Sequence, residues 1–178
     1  MEYEIVEKEE IKLVGLDYHG SITENKVAFE EKVEDLWRRL SEFCMKRWDS
    51  IENSVIYPEL SYEIQIWNED ELVESGLMSI FVGLEVDDLE NIPLKLVGKV
   101  LPSSKYISFT LTGEEIKDWE DLILQEWLPE SDYWLRSFEE QIFHVQCFHE
   151  EKFKGIENIE DSQLRVLIPV EEVDNETN

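Results

Sequence analysis

Positive charge is what this chain has least of. Sixteen Lys and Arg stand against 43 Asp and Glu, a formal net charge of −27 over 178 residues. Nucleic-acid backbone is recognised by clustered Lys and Arg, and no basic stripe stands out, so direct nucleic-acid binding is excluded. A cationic ligand or a partner protein with a basic surface is the natural electrostatic match. Cysteine is nearly absent too. Cys44 and Cys147 lie far apart in apolar-periodic segments, with no CxxC and no Cys/His spacing for zinc. Two free thiols in a reducing cytosol are expected, with one bridge as the alternative, and no metal. No apolar run approaches a membrane span. The chain is acidic from Glu2, unlike a signal or transit peptide, so the cytoplasm is the expected location. The stretch from Trp127 to Tyr133 has nothing of a phosphate loop, a metal cluster or a Ser-His-Asp set, and no cofactor is expected.

What remains is enough for a core: 42% of residues are hydrophobic and 11% aromatic. The length fits one domain over 1–172, built from halves of about 1–90 and 91–172, with an acidic tail at 173–178. Tyr3 to Tyr18 reads as a strand. Ser21-Ile22-Thr23-Glu24 has capping-box spacing. A helix then runs to about Trp48, with Phe29, Val33, Leu36, Trp37, Leu40, Phe43 and Cys44 on its buried face. Glu30, Glu34, Arg38 and Glu42 lie off that face, as on a solvated surface. Two strands come next. Tyr62, Ile64 and Ile66 alternate with Glu63, Gln65 and Trp67. In 77–86, Ile80, Val82 and Leu84 form the core face, opposite Phe81 and Glu85.

The order repeats. A strand over 105–111 leads to a second capping box at Thr112-Gly113-Glu114-Glu115. It opens a helix with Ile116, Trp119, Leu122, Ile123 and Trp127, stopped by Pro129. Strands at 142–148 and 163–170 close the chain. Setting Gly20 on Gly113 aligns the halves by pattern rather than by identity. Two such α+β halves, each strand, helix, strand, strand, bring an antiparallel sheet and two main helices around a central cleft, a common place for a ligand.

The residues that would line it are aromatics and a few polar groups. Tyr62, Phe81 and Tyr106 lie on sheet faces, and each is either cleft wall or core. Trp119 and Trp127 are core, cleft wall or both, since a buried indole N–H seeks a partner. Tyr133 closes the stretch Trp127-Leu128-Pro129-Glu130-Ser131-Asp132-Tyr133, which frames one end of the cleft. Glu85 is a solvated strand residue or a cation partner walled by aromatics. His144 is a satisfied core histidine or a polar group in the cleft. If the chain is an enzyme at all, Glu85, Glu139 and His144 are the candidate catalytic groups, because attack by water needs an acid or base of matched pKa.

Phe81-Val82-Gly83-Leu84-Glu85-Val86, Ile92-Pro93, Leu101-Pro102, Tyr106, Phe109, Gly113, Trp119, the Trp127–Ser131 run and Leu167-Ile168-Pro169-Val170 occur in an order that resembles the GyrI-like effector-binding domain. That domain is also found in AraC-type and MerR-type multidrug regulators and in integron-cassette proteins. The resemblance runs from Ile5 to Val170. It implies that the βαββ halves are related by a pseudo-twofold, and it implies a stand-alone protein that binds lipophilic, aromatic or cationic compounds for sensing or sequestration. It also leaves two alternatives: a hydrolase of strained-ring xenobiotics, and an acidic inhibitor of a basic protein such as gyrase. The family's Phe-Glu-x-Tyr motif is altered here. Phe138-Glu139 keeps the acid but comes early, whereas Phe143-His144-Val145-Gln146 fits the strand and replaces the acid with His144.

Overall fold

The computed structural model describes residues 1–23, 26–52 and 54–173, with backbone alone at 26 and 27. The strands are β1 (Glu2–Lys8), β2 (Ile11–Ser21), β3 (Leu60–Trp67), β4 (Leu77–Glu85), β5 (Val97–Leu101), β6 (Ser104–Thr112), β7 (Tyr133–Leu135), β8 (Ile142–His149) and β9 (Gln163–Glu172). They form an antiparallel sheet in the order β1-β6-β9-β8-β3-β4-β2-β5, with β7 paired to β9. The fold is α+β, with helix α1 (Lys26–Arg47) and a short α2 (Glu69–Ser75) beside the sheet.

The single strand expected from Tyr3 to Tyr18 is broken at Glu9–Glu10, and its two parts lie near opposite ends of the strand order. The pairing nonetheless keeps one register across the break. Lys8 faces Ser104 in β1–β6, and Ile11 faces Leu101 in β2–β5. The sheet therefore curls until its two ends share the same pair of long strands. That closure is non-local, and no short-range pattern announces it. At the β2–β4 crossing Gly15 faces Gly83, and a Cβ on Gly15 would sit 1.9 Å from the Val82 carbonyl oxygen. Only glycine fits there.

β3 and β8 lie side by side in the middle, and a local two-fold axis passes between them at the Ile64–Val145 pair. The outer ladders obey the same axis. Ile64 faces Phe81 as Val145 faces Leu167, and Leu16 faces Val82 as Ile107 faces Ile168. The repeat is thus a property of hydrogen-bond register. It superposes Tyr62-Glu63-Ile64-Gln65 on Phe143-His144-Val145-Gln146, and Ser21 on Thr112.

Alternation splits the apolar residues between the two sheet faces. On the outer face Leu16, Ile80, Val82 and Leu84 pack under Phe29, Leu36 and Leu40 of α1. Ile107, Phe109, Val166 and Ile168 pack under Ile116, Trp119 and Ile123 of the second half. Inside the curl, Leu13, Tyr62, Ile64, Phe81, Tyr106, Phe143, Val145 and Leu167 form a third cluster.

The helical elements differ between halves. α1 is a regular helix of 22 residues. Its expected capping box falls partly on residue 24, outside the described residues; the Ser21 hydroxyl donates to Ser75 O at 2.6 Å. In the second half the expected capping box is present, with the Glu115 carboxylate accepting from the Thr112 N–H at 3.0 Å. The chain beyond Thr112 forms a 3-10 turn (Gly113–Ile116), a π-helix (Asp121–Trp127) and a 3-10 turn at Leu128–Glu130, instead of the one α-helix expected. α2 was not expected from the sequence. Asn68 caps it by accepting from the Glu71 N–H at 3.1 Å, Glu69, Asp70 and Glu71 suit its N-terminal dipole, and left-handed Gly76 ends it. Of the acidic tail only Val173 is described, and its N–H donates to Asp132 O. No helix among the described residues is long and apolar enough to cross a membrane.

Candidate ligand-binding cleft

His144 lies against Trp119 of the 113–130 segment, but because β3 and β8 lie between the two helical elements, several of their other outward residues stay open between the walls. These residues form the floor of a cleft of about 1120 Å³. Ser61, Glu63 and Gln65 come from β3, and Gln146 and Phe148 from β8. Val33, Trp37 and Ser41 of α1 make one wall, and Ile116 and Trp119 the other. The volume is ample for a drug-sized molecule. Glu30, Glu34, Glu59, Glu120 and Glu150 ring the opening. Lys117 is the only Lys or Arg among the described lining residues, and it is bound to Glu114 at 2.7 Å. The lining is therefore strongly negative.

Glu63 is the acid at the floor, and only 8% of it is exposed. The Trp37 indole N–H donates to its Oε2 at 2.8 Å, and Gln65 donates to Oε1 at 3.1 Å. Gln146, directly across the ladder, adds a longer bond at 3.4 Å. Both oxygens accept, the pattern of a carboxylate. Among the described residues no Lys or Arg forms an ion pair with it. Neutral donors orient this group but leave its charge uncompensated.

The equivalent position in the second half is His144, 3% exposed. Neither ring nitrogen has a hydrogen-bond partner among the described residues. Its ring meets Trp119 edge to face at 4.6 Å and lies 5.6 Å from Trp67. Burial pushes its pKa down to about 3, so the imidazole is neutral near pH 7. Leaving a buried polar group unpaired costs about 1–3 kcal/mol.

Residues 4–170 match the family of integron-associated effector binding proteins, Cass2. The chain belongs to that family. Solved structures share its fold, among them the following three. SAV2435 bound to tetraphenylphosphonium is 16% identical with a TM-score of 0.67, covering 96% of this chain and 94% of that one. A protein from Staphylococcus aureus MU50 is 18% identical with a TM-score of 0.61, covering 96% of this chain and 99% of that one. The integron cassette protein VCH_CASS2 of Vibrio cholerae is 15% identical with a TM-score of 0.55, covering 95% of each chain. No curated protein sequence matches.

In this effector-binding protein the residues singled out from sequence go to four places. Trp119 walls the cleft and His144 lies against it. Tyr62, Phe81, Tyr106 and Glu85 lie on the opposite face of the sheet and do not line the cleft. Tyr62, Phe81 and Tyr106 are buried in the inner cluster. Tyr62 donates to Glu85 Oε2 at 2.6 Å and Tyr106 to Pro102 O at 3.1 Å. Burial pushes both phenols well above their ordinary pKa. Trp127 and Tyr133 line a separate hollow with Tyr3, where Trp127 packs edge-on against Tyr3 and Phe109 at 5.0 Å. Glu139 is an exposed residue of a surface turn with φ 50, ahead of β8. The motif on the strand is thus Phe143-His144-Val145-Gln146. No two of Glu85, Glu139 and His144 come together.

Sequence reasoning missed Glu63, and with it Trp37 and Gln146 as site residues. The alternation around Glu63 is legible, but its face reads as solvent-facing because Ser61, Glu63 and Gln65 are polar. The likeness of Tyr62-Glu63-Ile64-Gln65 to Phe143-His144-Val145-Gln146 is the signal that marks both polar positions. Glu30 and Glu34, expected on a solvated surface, stand at the cleft's rim. Cys44, a partly buried free thiol, also reaches the lining, and burial pushes its pKa up. Cys147 is a separate, buried free thiol.

Proposed function

We propose that this protein binds a lipophilic organic cation in the cleft between its halves, for sensing or sequestration, with Glu63 as the counter-charge and Trp37, Trp119 and Phe148 as aromatic walls. The observation that carries this reading is Glu63 itself. A buried carboxylate held by neutral donors alone is an unfavourable state, and a cation beside it supplies the missing compensation. Each aromatic face adds about 0.5–2 kcal/mol to a desolvated cation. Excluding water raises the value of the charge pair further. The rim acids draw a cation in without contacting it, so their effect falls with salt. Binding of tetraphenylphosphonium by SAV2435, whose fold is similar, supports this ligand class.

Titration calorimetry with tetraphenylphosphonium and tetraphenylborate, two ions of one shape and opposite sign, tests the reading. The cation binds and the anion does not. Glu63→Gln weakens the cation at least tenfold, about 1.4 kcal/mol. Equal binding of both ions, or a Glu63→Gln variant with unchanged affinity, would remove Glu63 as the counter-charge.

A further inference from the structure

The axis between β3 and β8 places Glu63 and His144 at equivalent points on either side of the Ile64–Val145 pair. Among the described residues Glu63 receives three donors, and His144 receives none. Trp119, whose ring covers His144, is itself part of the cleft wall. Gln65, which faces His144 across the ladder, lies in the cleft floor. One indole ring therefore separates a buried hydrogen-bonding group, without a partner among the described residues, from the ligand space. Trp119 stands just ahead of the π-helix, between it and the 3-10 turn. Non-α geometry of this kind recurs at functional sites. An edge-to-face ring contact returns little of what a hydrogen bond to the imidazole would.

We propose that His144 is a second, neutral subsite of the cleft, reached when the Trp119 ring swings aside, and that the cleft therefore selects aromatic monocations carrying a neutral hydrogen-bonding group away from their positive centre. This rests on the cation reading of Glu63. A neutral imidazole offers one N–H donor and one acceptor nitrogen, so an amine, hydroxyl, ether or carbonyl is served equally. A ligand that bonds to it relieves an existing penalty, whereas a ligand with only hydrocarbon there leaves the penalty in place. A second positive centre finds no counter-charge at this point. The two halves thus read the two ends of one ligand: charge at Glu63, a neutral polar group at His144.

Three probes test this by calorimetry. Tetraphenylphosphonium has no hydrogen-bonding group, ethidium carries amino groups on its rings, and dequalinium has two positive centres. In His144→Leu the affinity for ethidium falls about tenfold, while that for tetraphenylphosphonium stays within twofold. The free variant melts no lower than the wild type, since an unpartnered polar group has been removed. His144→Asn, which keeps a donor and an acceptor, retains part of the ethidium affinity and carries the test if the Leu variant fails to fold. His144→Glu gains at least fivefold for dequalinium. Equal losses for ethidium and tetraphenylphosphonium, or none for ethidium, would overturn the subsite while leaving the cation reading intact. Failure of the wild type to bind any of the cations would remove both.

Discussion

The two halves share a hydrogen-bond register and differ in what they do with it. The first half has a regular α1, whose Trp37 is tied by a hydrogen bond to a charged group. The second has a 3-10 and π segment, whose Trp119 rests on a neutral imidazole with no hydrogen bond between them. Both arrangements put a tryptophan beside a polar side chain on a central strand. Backbone duplication decides where those side chains point. One residue on each strand decides the chemistry. The first half holds a buried acid in place with neutral donors, and the second carries a polar group that nothing among the described residues satisfies.

The sharpest way to break this comparison is acid. The His144 pKa falls from 6.5 to about 3 on folding because the imidazole is desolvated. The unfolded chain binds a proton below about pH 6.5, and the folded one does not until about pH 3. Stability held at neutral pH is therefore lost as pH falls through that window, at about 1.4 kcal/mol per pH unit. Between pH 7 and 4.5 this group alone costs about 2–3 kcal/mol. Urea unfolding of wild type and His144→Leu at both pH values isolates it, because the many carboxylates titrate in both proteins. The expected result is a smaller loss in the variant by that amount. Parallel losses would mean that His144 is protonated or hydrogen-bonded in the folded protein.

The two tryptophans give the next largest contrast. Trp37→Phe keeps an aromatic wall but deletes the 2.8 Å bond to Glu63, and a hydrogen bond to a charged group is worth about 1.5–3 kcal/mol. Trp119→Phe deletes ring area and no side-chain hydrogen bond described for Trp119, so a cost of about 1 kcal/mol or less is expected if the neighbours close in. Denaturant midpoints of the two variants should differ in that order. A larger loss for Trp119→Phe would show that the second wall is as rigidly built as the first.

Much of this was legible in the residues. Tyr62, Ile64 and Ile66 do share one face, and Ile80, Val82 and Leu84 do meet a helix. Thr112 and Glu115 do form the expected capping box. Alternation gives faces, but it does not say what covers them. In a sheet that curls on itself both faces are covered, so the aromatic face became core and the polar strip of Ser61, Glu63 and Gln65 became the cleft floor. The halves were also misaligned by two residues. Setting Gly20 on Gly113 relies on a shared glycine, whereas the ladders set Ser21 on Thr112. Register is fixed by distant partners, such as the long strands that join β1 to β2 and β5 to β6, and no window of local sequence contains both members of a pair.

The smallest contrast lies in the connections outside the cleft. In the first half β3 passes to β4 through α2, started by Asn68, whose side chain accepts from the Glu71 N–H. In the second, β8 passes to β9 through a 3-10 turn closed by Ser162, 2% exposed. The Ser162 hydroxyl accepts from the Lys154 N–H at 2.9 Å and donates to Asn158 O at 3.0 Å. Asn68→Ala removes a cap from a helix exposed to water, at about 1 kcal/mol, because solvent can replace the lost acceptor. Ser162→Ala strands a backbone N–H and a carbonyl away from solvent, and should cost somewhat more. If thermal melting shows the reverse order, α2 braces the β3–β4 half, and with it the Glu63 side of the cleft, more firmly than its seven residues, none of them buried, suggest.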